Sequence, residues 1–151
     1  MISGNAPAEK PLTLSPEANN GKQIFFGDKA KCSQCHSGFN YTNNGFANNG
    51  LYENYADEGR FRLTQNPNDI GSFKIPTLRN IALTAPYMHD GSLATLNEVL
   101  DHYQSGGYPH PNKSPFIQPF ELTNQERQDL LAFLQALTDS DFINNPYLGK
   151  E

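Results

Sequence analysis

The sequence predicts a mainly α-helical domain in which long irregular loops connect the helices. Two segments begin with a capping box and continue with apolar residues at helical spacing. The capping pairs are Thr95 with Glu98, and Thr123 with Glu126. By contrast, residues 39–80 are rich in Asn, Gly and Tyr and follow no sustained period. A loop of that length in a compact domain usually encloses a ligand or carries a function.

A further helix is predicted near the start of the chain. Ser15 is a suitable N-cap, Pro16 fits the first helical turn, and Gly27 ends the segment. Residues 1–14 contain two prolines and small polar residues without periodicity, which predicts a linker or an extended arm. Residues 15–151 then form the folded domain.

Composition limits the class of protein. A chain of 151 residues has the length of a single domain. Its net charge of -5, with only 11 Lys and Arg residues and no basic stripe, argues against nucleic acid as a partner. The best apolar run, residues 130–137, is far shorter than a bilayer span, so no membrane-spanning segment is expected. Only 36% of the residues are hydrophobic, and a cofactor could supply missing apolar volume.

The most informative motif is the CxxCH sequence formed by Cys32, Cys35 and His36. Two thiols at this spacing can reach both vinyl groups of a haem, and the adjacent imidazole can then bind the iron from one face. We therefore predict one covalently attached c-type haem, with His36 as the proximal ligand, and one-electron redox chemistry.

The motif has three other interpretations: a thioredoxin-like dithiol, part of a zinc site, and two unreacted cysteines. The dithiol would need a βαβ setting, which the sequence does not predict. A closed zinc site would need further ligands. The available histidines are His89, His102 and His110.

Attachment of haem to cysteines normally takes place outside the cytoplasm, so a periplasmic or otherwise exported location is expected. The first residues of the chain show neither a basic region nor an apolar region of a secretion signal. We expect the natural precursor to carry such a signal.

The flanking helices carry a resemblance to the c-type cytochromes. Gly21 and Phe25, on the helix that precedes the motif, form a small-then-aromatic face. In c-type cytochromes such a face crosses the C-terminal helix, which corresponds here to residues 130–137. The resemblance implies a cytochrome c-like helical domain around the haem.

A more specific resemblance lies between residues 71 and 107. Residues 73–91 read FKIPTLRNIALTAPYMHDG, and residues 95–107 read TLNEVLDHYQSGG. These segments resemble the C-terminal haem domain of bacterial dihaem cytochrome c peroxidases and their MauG-type relatives, and the similarity extends over nearly the whole chain. It implies that this domain passes electrons to an N-terminal domain that carries the peroxidatic haem. It also implies a small redox protein as the electron donor.

The chain contains a single CxxCH motif, whereas the family has one in each domain. We therefore interpret the chain as the electron-transfer half of a dihaem enzyme, without the peroxidatic haem. The alternative is an autonomous monohaem cytochrome that serves as an electron carrier. A second CxxCH motif upstream in the parent reading frame would decide between them.

Two residues compete for the distal position on the iron. Met88 is a candidate because His/Met ligation is common in cytochromes c, although a Met in this loop could equally pack against the haem. Tyr103 lies on the apolar stripe of its helix, so its hydroxyl should be buried and in need of a partner. In the family, this helix position holds Met in many peroxidases and Tyr in MauG-type proteins. We favour Tyr103.

Further residues are candidates for binding calcium or the periphery of the haem. The resemblance implies a calcium site built in part from the backbone carbonyls of Thr84 and Pro86, although Pro86 could equally form a rigid turn. Arg79 could pair with a haem propionate or simply be solvated. The Asn-rich run predicts turns, and Tyr41 and Phe46 within it are candidates for the haem edge.

Overall fold

The computed structural model describes residues 13–148, so most of the predicted arm lies outside the described residues. Within them the chain is mainly helical, as predicted. The α-helices are α1 (Pro16–Phe26), α2 (Phe61–Thr64), α3 (Leu96–Ser105), α4 (Asn124–Ala136) and α5 (Ser140–Ile143). Short 3₁₀ turns occupy Cys32–Gln34, Pro67–Asp69 and Ile81–Leu83. None of the helices in residues 13–148 is long and apolar enough to cross a membrane.

The predicted start and end of α1 are confirmed. The Ser15 hydroxyl accepts a hydrogen bond from the backbone N–H of Ala18 at 3.1 Å, and Pro16 occupies the first turn. Gly27 caps the C-terminal end of the helix. These signals lie within a few residues of one another, which is why the sequence alone could place this helix.

Both predicted capping boxes are present. Thr95 Oγ1 accepts from the N–H of Glu98 at 3.2 Å, and Glu98 Oε2 accepts from the N–H of Thr95 at 2.8 Å. The same reciprocal pair joins Thr123 and Glu126, at 3.2 and 2.8 Å. The two boxes therefore define where α3 and α4 begin.

The core is built on the crossing of α1 and α4. Phe25 of α1 and Phe133 of α4 are 2% and 1% exposed, and their ring centroids lie 5.2 Å apart. Leu100 of α3 joins the same cluster. The predicted contact between the first helix and the C-terminal helix is confirmed.

Arg127 fixes α3 against α4. Its Nη1 donates to Asp101 at 2.7 Å, its Nη2 to the carbonyl oxygen of Asn97 at 2.7 Å, and its Nε to the Asn97 side chain at 3.1 Å. The Arg127 guanidinium thus links two turns of α3 to α4. These hydrogen bonds hold α3, the helix that carries Tyr103, in place.

The long loop contains a small sheet that the sequence did not predict. Strands β1 (Phe46–Ala47) and β2 (Phe73–Lys74) pair antiparallel, with Phe46 opposite Lys74 and Ala47 opposite Phe73. Strands of two residues are too short to show an alternating pattern, so the sequence carried no signal for them.

Asn48 organises the chain that follows β1. This residue is 1% exposed, and its Oδ1 accepts from the N–H of Gly50 at 2.8 Å and from the Tyr55 hydroxyl at 2.9 Å. Its Nδ2 donates to the carbonyl oxygen of Ile70 at 3.3 Å. The buried Asn48 amide thus joins three parts of the loop by hydrogen bonds. The Asn-rich run is therefore more than a series of exposed turns.

Candidate functional site

An apolar cavity of about 370 Å³ lies between α1, α3, α4 and the long loop. This volume is within the roughly 300–1,000 Å³ typical of cofactor and ligand sites. Cys32, Cys35 and His36 line it, and so do Met88 and Tyr103. Its apolar wall includes Phe25, Ile75, Leu78, Leu96, Leu100 and Leu134. The structure therefore brings the CxxCH motif and both candidate distal ligands to one enclosed space.

A tight turn presents the CxxCH motif to this cavity. Lys31, at φ 54°, leads into the 3₁₀ turn Cys32–Gln34. The carbonyl oxygen of Cys32 accepts from the N–H of Cys35 at 3.2 Å and from the N–H of His36 at 2.9 Å. Because the turn is local, the spacing of the motif is enough to place all three side chains on the cavity wall.

The two thiols are free and do not form a disulfide. Burial raises the pKa of Cys32 to about 12 and also raises the pKa of Cys35. Catalytic dithiols depend on a lowered thiol pKa, because the thiolate is the nucleophile. The environment of these cysteines is thus the opposite of what a thioredoxin-like site requires.

One ring nitrogen of His36 is engaged in a hydrogen bond. Its Nδ1 lies 3.1 Å from the carbonyl oxygen of Tyr41, which can only accept, so Nδ1 carries the proton. Burial lowers the pKa of His36, against a smaller opposing effect of the backbone at Tyr41 and Pro76. The imidazole is therefore neutral, and its Nε2 lone pair is available to a metal, as in most metal-binding histidines.

A zinc site is not supported. Among residues 13–148, no three His, Cys, Asp or Glu side chains are grouped so that they could hold a metal ion. His89 stacks on an aromatic ring at a centroid distance of 3.8 Å. His102 Nε2 lies 3.0 Å from the carbonyl oxygen of Asn49, and His110 Nδ1 lies 3.2 Å from Nδ2 of Asn48. Each histidine is engaged in another contact.

Met88 and Tyr103, the competing distal ligands, meet at Asn49. Met88 has a φ of 74°, a conformation that bulky residues rarely adopt, and its sulfur accepts from Asn49 Nδ2 at 3.3 Å. Burial raises the pKa of Tyr103, whereas a hydrogen bond with the Asn49 side chain opposes that rise. The sequence pointed to Met88 and Tyr103 but not to Asn49.

The candidates for the propionate and calcium sites, Arg79, Thr84 and Pro86, lie outside the cavity wall. Arg79 donates to the carbonyl oxygen of Phe39 from Nε and Nη2, at 3.2 and 2.7 Å. Its guanidinium lies 4.5 Å from the centroid of the Phe39 ring and 5.3 Å from that of Tyr41. Thr84 and Pro86 lie in an exposed turn.

The expectation for Tyr41 and Phe46 is wrong for this cavity, since neither ring lines it. Tyr41 packs against Phe133 at a centroid distance of 6.0 Å, and the Phe46 ring lies under the guanidinium of Arg60 at 4.5 Å. What Tyr41 supplies is its backbone carbonyl, which orients His36. A backbone role of this kind leaves no signature in residue type.

The sequence profile of the cytochrome c family matches residues 18–138. The chain belongs to the cytochrome c family. A cytochrome c domain holds a covalently bound c-type haem for electron transfer, and the cavity described above supplies the two thiols, the neutral imidazole and the apolar wall that such a haem needs.

Individual relatives of this cytochrome c domain are cytochrome c peroxidases and MauG proteins. This chain is 38% identical to the methylamine utilization protein MauG of Methylorubrum extorquens over 143 residues, and the match covers 91% of the chain and 40% of that protein. It is 37% identical to the cytochrome-c peroxidase IdrP1 of Denitromonas iodatirespirans, covering 83% of the chain and 41% of that protein. The predicted relationship to these proteins is confirmed.

A solved structure shows the same fold. The crystal structure of a MauG-like protein associated with microbial copper homeostasis matches with a TM-score of 0.84 and 40% identity, covering 89% of the chain and 50% of that structure. The predicted cytochrome c-like fold is confirmed. The chain spans about two fifths of the length of the two curated relatives named above.

Proposed function

We propose that this cytochrome c domain is the electron-transfer half of a dihaem cytochrome c peroxidase or MauG-like enzyme. The observation that carries the proposal is that one cavity joins the CxxCH motif to two further side chains able to bind iron, Tyr103 and Met88. A haem bound by protein on both faces supplies reversible one-electron transfer and leaves no open position for peroxide.

The residues have separate roles in this proposal. Cys32 and Cys35 form the thioether bonds, and His36 is the proximal ligand, held by the Tyr41 carbonyl. Tyr103 is the favoured distal ligand, because its side chain lines the cavity and Arg127 holds α3 against α4. Met88 is the alternative.

The proposed partners follow from the relatives. The chain spans about 40% of MauG of Methylorubrum extorquens, which leaves room in such proteins for an N-terminal domain with a second haem. A small redox protein would donate electrons to the haem held here. Covalent haem attachment supports an exported, periplasmic location.

Two peripheral groups complete the proposal. The carbonyls of Thr84 and Pro86 sit in an exposed turn, where oxygen atoms from another domain and water could complete the shell of a calcium ion. Arg79 would bind a haem propionate with the guanidinium donors that the Phe39 carbonyl does not use.

The test compares the haem-loaded domain with the full-length natural protein that contains this sequence. The domain should take up and release one electron reversibly in a potentiometric titration and turn over hydrogen peroxide slowly, whereas the full-length protein should contain two haems and turn it over rapidly. Peroxide turnover by the domain at the full-length rate would overturn the proposal. A single haem in the full-length protein would favour the monohaem electron carrier instead.

A further inference from the structure

Two lysines contribute positive charge to the cavity. Lys31 and Lys74 are the only Lys or Arg side chains among residues 13–148 that line it, and no Asp or Glu of that range does so. The chain as a whole has 16 acidic and 11 basic residues, so this wall differs in charge from the rest of the molecule. A haem brings two propionate carboxylates, and a carboxylate that leaves bulk water needs a cation or hydrogen-bond donors nearby. The charge of the wall therefore suits this anionic cofactor.

Three polar residues of the cavity wall lie on or beside the small sheet. Lys74 is the last residue of β2, Asn48 directly follows β1, and Ser114 donates its backbone N–H to the carbonyl oxygen of Asn48 at 2.9 Å. All three line the cavity, whereas α4 contributes only Leu130 and Leu134 to its wall. The carboxylate edge of a haem is therefore best accommodated at the sheet.

The positions of the two lysines in the chain separate their roles. The vinyl groups and the propionates of a haem lie at opposite edges of the porphyrin, and Cys32 and Cys35 would hold the vinyl edge. Lys31 directly precedes Cys32, so it belongs to that edge. Lys74 comes instead from β2, within the polar part of the wall. Of the two cations, Lys74 is the one placed for a propionate.

The Lys74 ammonium is held at the cavity by the neighbouring backbone. Its Nζ donates to the carbonyl oxygen of Ile75 at 3.3 Å, and Ile75 is 8% exposed and lines the cavity. The same carbonyl accepts from the Thr42 hydroxyl at 2.7 Å, which fixes its position. An ammonium has three donors, so two remain for a carboxylate. No acid of residues 13–148 forms an ion pair with Lys74.

We propose that Lys74 binds a haem propionate and thereby orients the cofactor with its carboxylate edge at the β1–β2 sheet. The inference deepens the proposed function and rests on it, because it requires a haem in this cavity. A haem has two propionates, so this role of Lys74 is compatible with that proposed for Arg79, which lies outside the cavity wall. The ion pair also raises the reduction potential, because a positive charge near the iron disfavours the more positive ferric state.

The test measures the reduction potential and the resonance Raman spectrum of the haem-loaded domain. Lys74→Gln removes the positive charge at an exposed position, so the fold should tolerate the change. We expect the reduction potential to fall, because the propionate loses its cation, and we expect the propionate bending band to shift. Lys74→Arg keeps the charge and should restore most of both properties.

Two other lysines provide matched controls. Lys22 is exposed on α1 and is not part of the cavity wall, so Lys22→Gln should leave the potential and the band close to those of the unmodified domain. Lys31→Gln removes the other positive charge of the wall. Loss of that charge should also lower the potential, but the propionate band should stay in place because Lys31 belongs to the vinyl edge. The band thus separates direct contact with a propionate from an effect of charge through space.

An unchanged propionate band in folded Lys74→Gln would overturn this inference, whatever the potential of that variant. An equal shift of the band in Lys31→Gln would overturn it as well. Failure of the proposed function has a different signature, which is seen in the unmodified domain: the haem would not take up and release one electron reversibly, even if its propionate band responded to Lys74→Gln.

Discussion

Gly21 of α1 lies directly against the backbone of Asp129 in α4. A Cβ atom at Gly21 would overlap the carbonyl oxygen of Asp129 and lie 2.9 Å from Cα of Leu130. Because the obstructing atoms are backbone, they cannot move aside as a flexible side chain could. This close approach sets the crossing of the two helices that carry the core.

Gly21→Ala should therefore destabilise the domain, although Gly→Ala normally stabilises a helix by roughly 0.5–1 kcal/mol. We expect a loss of about 2–3 kcal/mol, at the upper end of overpacking costs, measured by equilibrium denaturation. Asn20→Ala, at an exposed position of the same helix, is the control and should change stability by less than about 0.5 kcal/mol. A stabilised Gly21→Ala variant would show that α1 and α4 do not pack this closely.

Covalent attachment of the haem should depend on Cys32 and Cys35. The matured domain should have the mass of the polypeptide plus one haem, and acidified organic solvent should not extract the pigment. Replacing both cysteines by Ala should leave any bound haem extractable, whereas Cys35→Ala alone should retain one thioether bond. Extraction of haem from the unmodified domain would contradict the assignment.

Tyr103→Phe should open a coordination position on the iron. We expect a changed ferric spectrum and a higher reduction potential, because a phenolate favours the oxidised metal. Met88→Leu is the paired variant and should leave ligation intact. Loss of a thioether-to-iron charge-transfer band on Met88→Leu would show instead that Met88 is the distal ligand.

Arg79→Ala should weaken the packing of the segment that contains Phe39 and Tyr41. The variant loses a cation–π contact and hydrogen bonds to a backbone carbonyl, so a loss of about 1–2 kcal/mol is expected in thermal unfolding. If Arg79 also binds a propionate, the reduction potential of Arg79→Ala will shift as well. Arg62→Ala, at an exposed position in α2, is the control for removing a positive charge. An unchanged reduction potential in Arg79→Ala would show that Arg79 does not bind a haem propionate.

The titration of Asp90 should depend on Tyr52. Desolvation acts to raise the pKa of Asp90, but hydrogen bonds from Tyr52 and Ser92 outweigh it and lower the pKa to about 2. The Tyr52 hydroxyl donates to Asp90 Oδ2 at 2.6 Å. A lowered carboxyl pKa stabilises the fold above the unfolded value of roughly 3.9, and this contribution is lost as the pH falls through about 2.

Tyr52→Phe should raise the pKa of Asp90 in an NMR titration of its carboxyl group. Because Asp90 is exposed, the accompanying loss of stability at neutral pH should stay below about 1 kcal/mol. Tyr147→Phe, which alters a tyrosine that is 94% exposed, is the control and should leave the titration of Asp90 unchanged. An Asp90 pKa that is the same in Tyr52→Phe would contradict the role of this hydrogen bond.

The sequence by itself determined the features that depend on neighbouring residues. The caps at Ser15, Thr95 and Thr123 act within one helical turn, so their residue types were sufficient to locate three helices. The CxxCH motif is equally local, because one turn of backbone places Cys32 and His36 on the same wall.

Only the tertiary structure decided which distant residues meet in the cavity. Asn49 and Met88 are separated by 39 positions, and Asn49 and His102 by 53, yet each pair is joined by a hydrogen bond. The loop that contains Asn49 has no hydrophobic period, so no local pattern could single out this asparagine. Its position is fixed by hydrogen bonds to Met88 and to His102 of α3, which exist only in the folded chain.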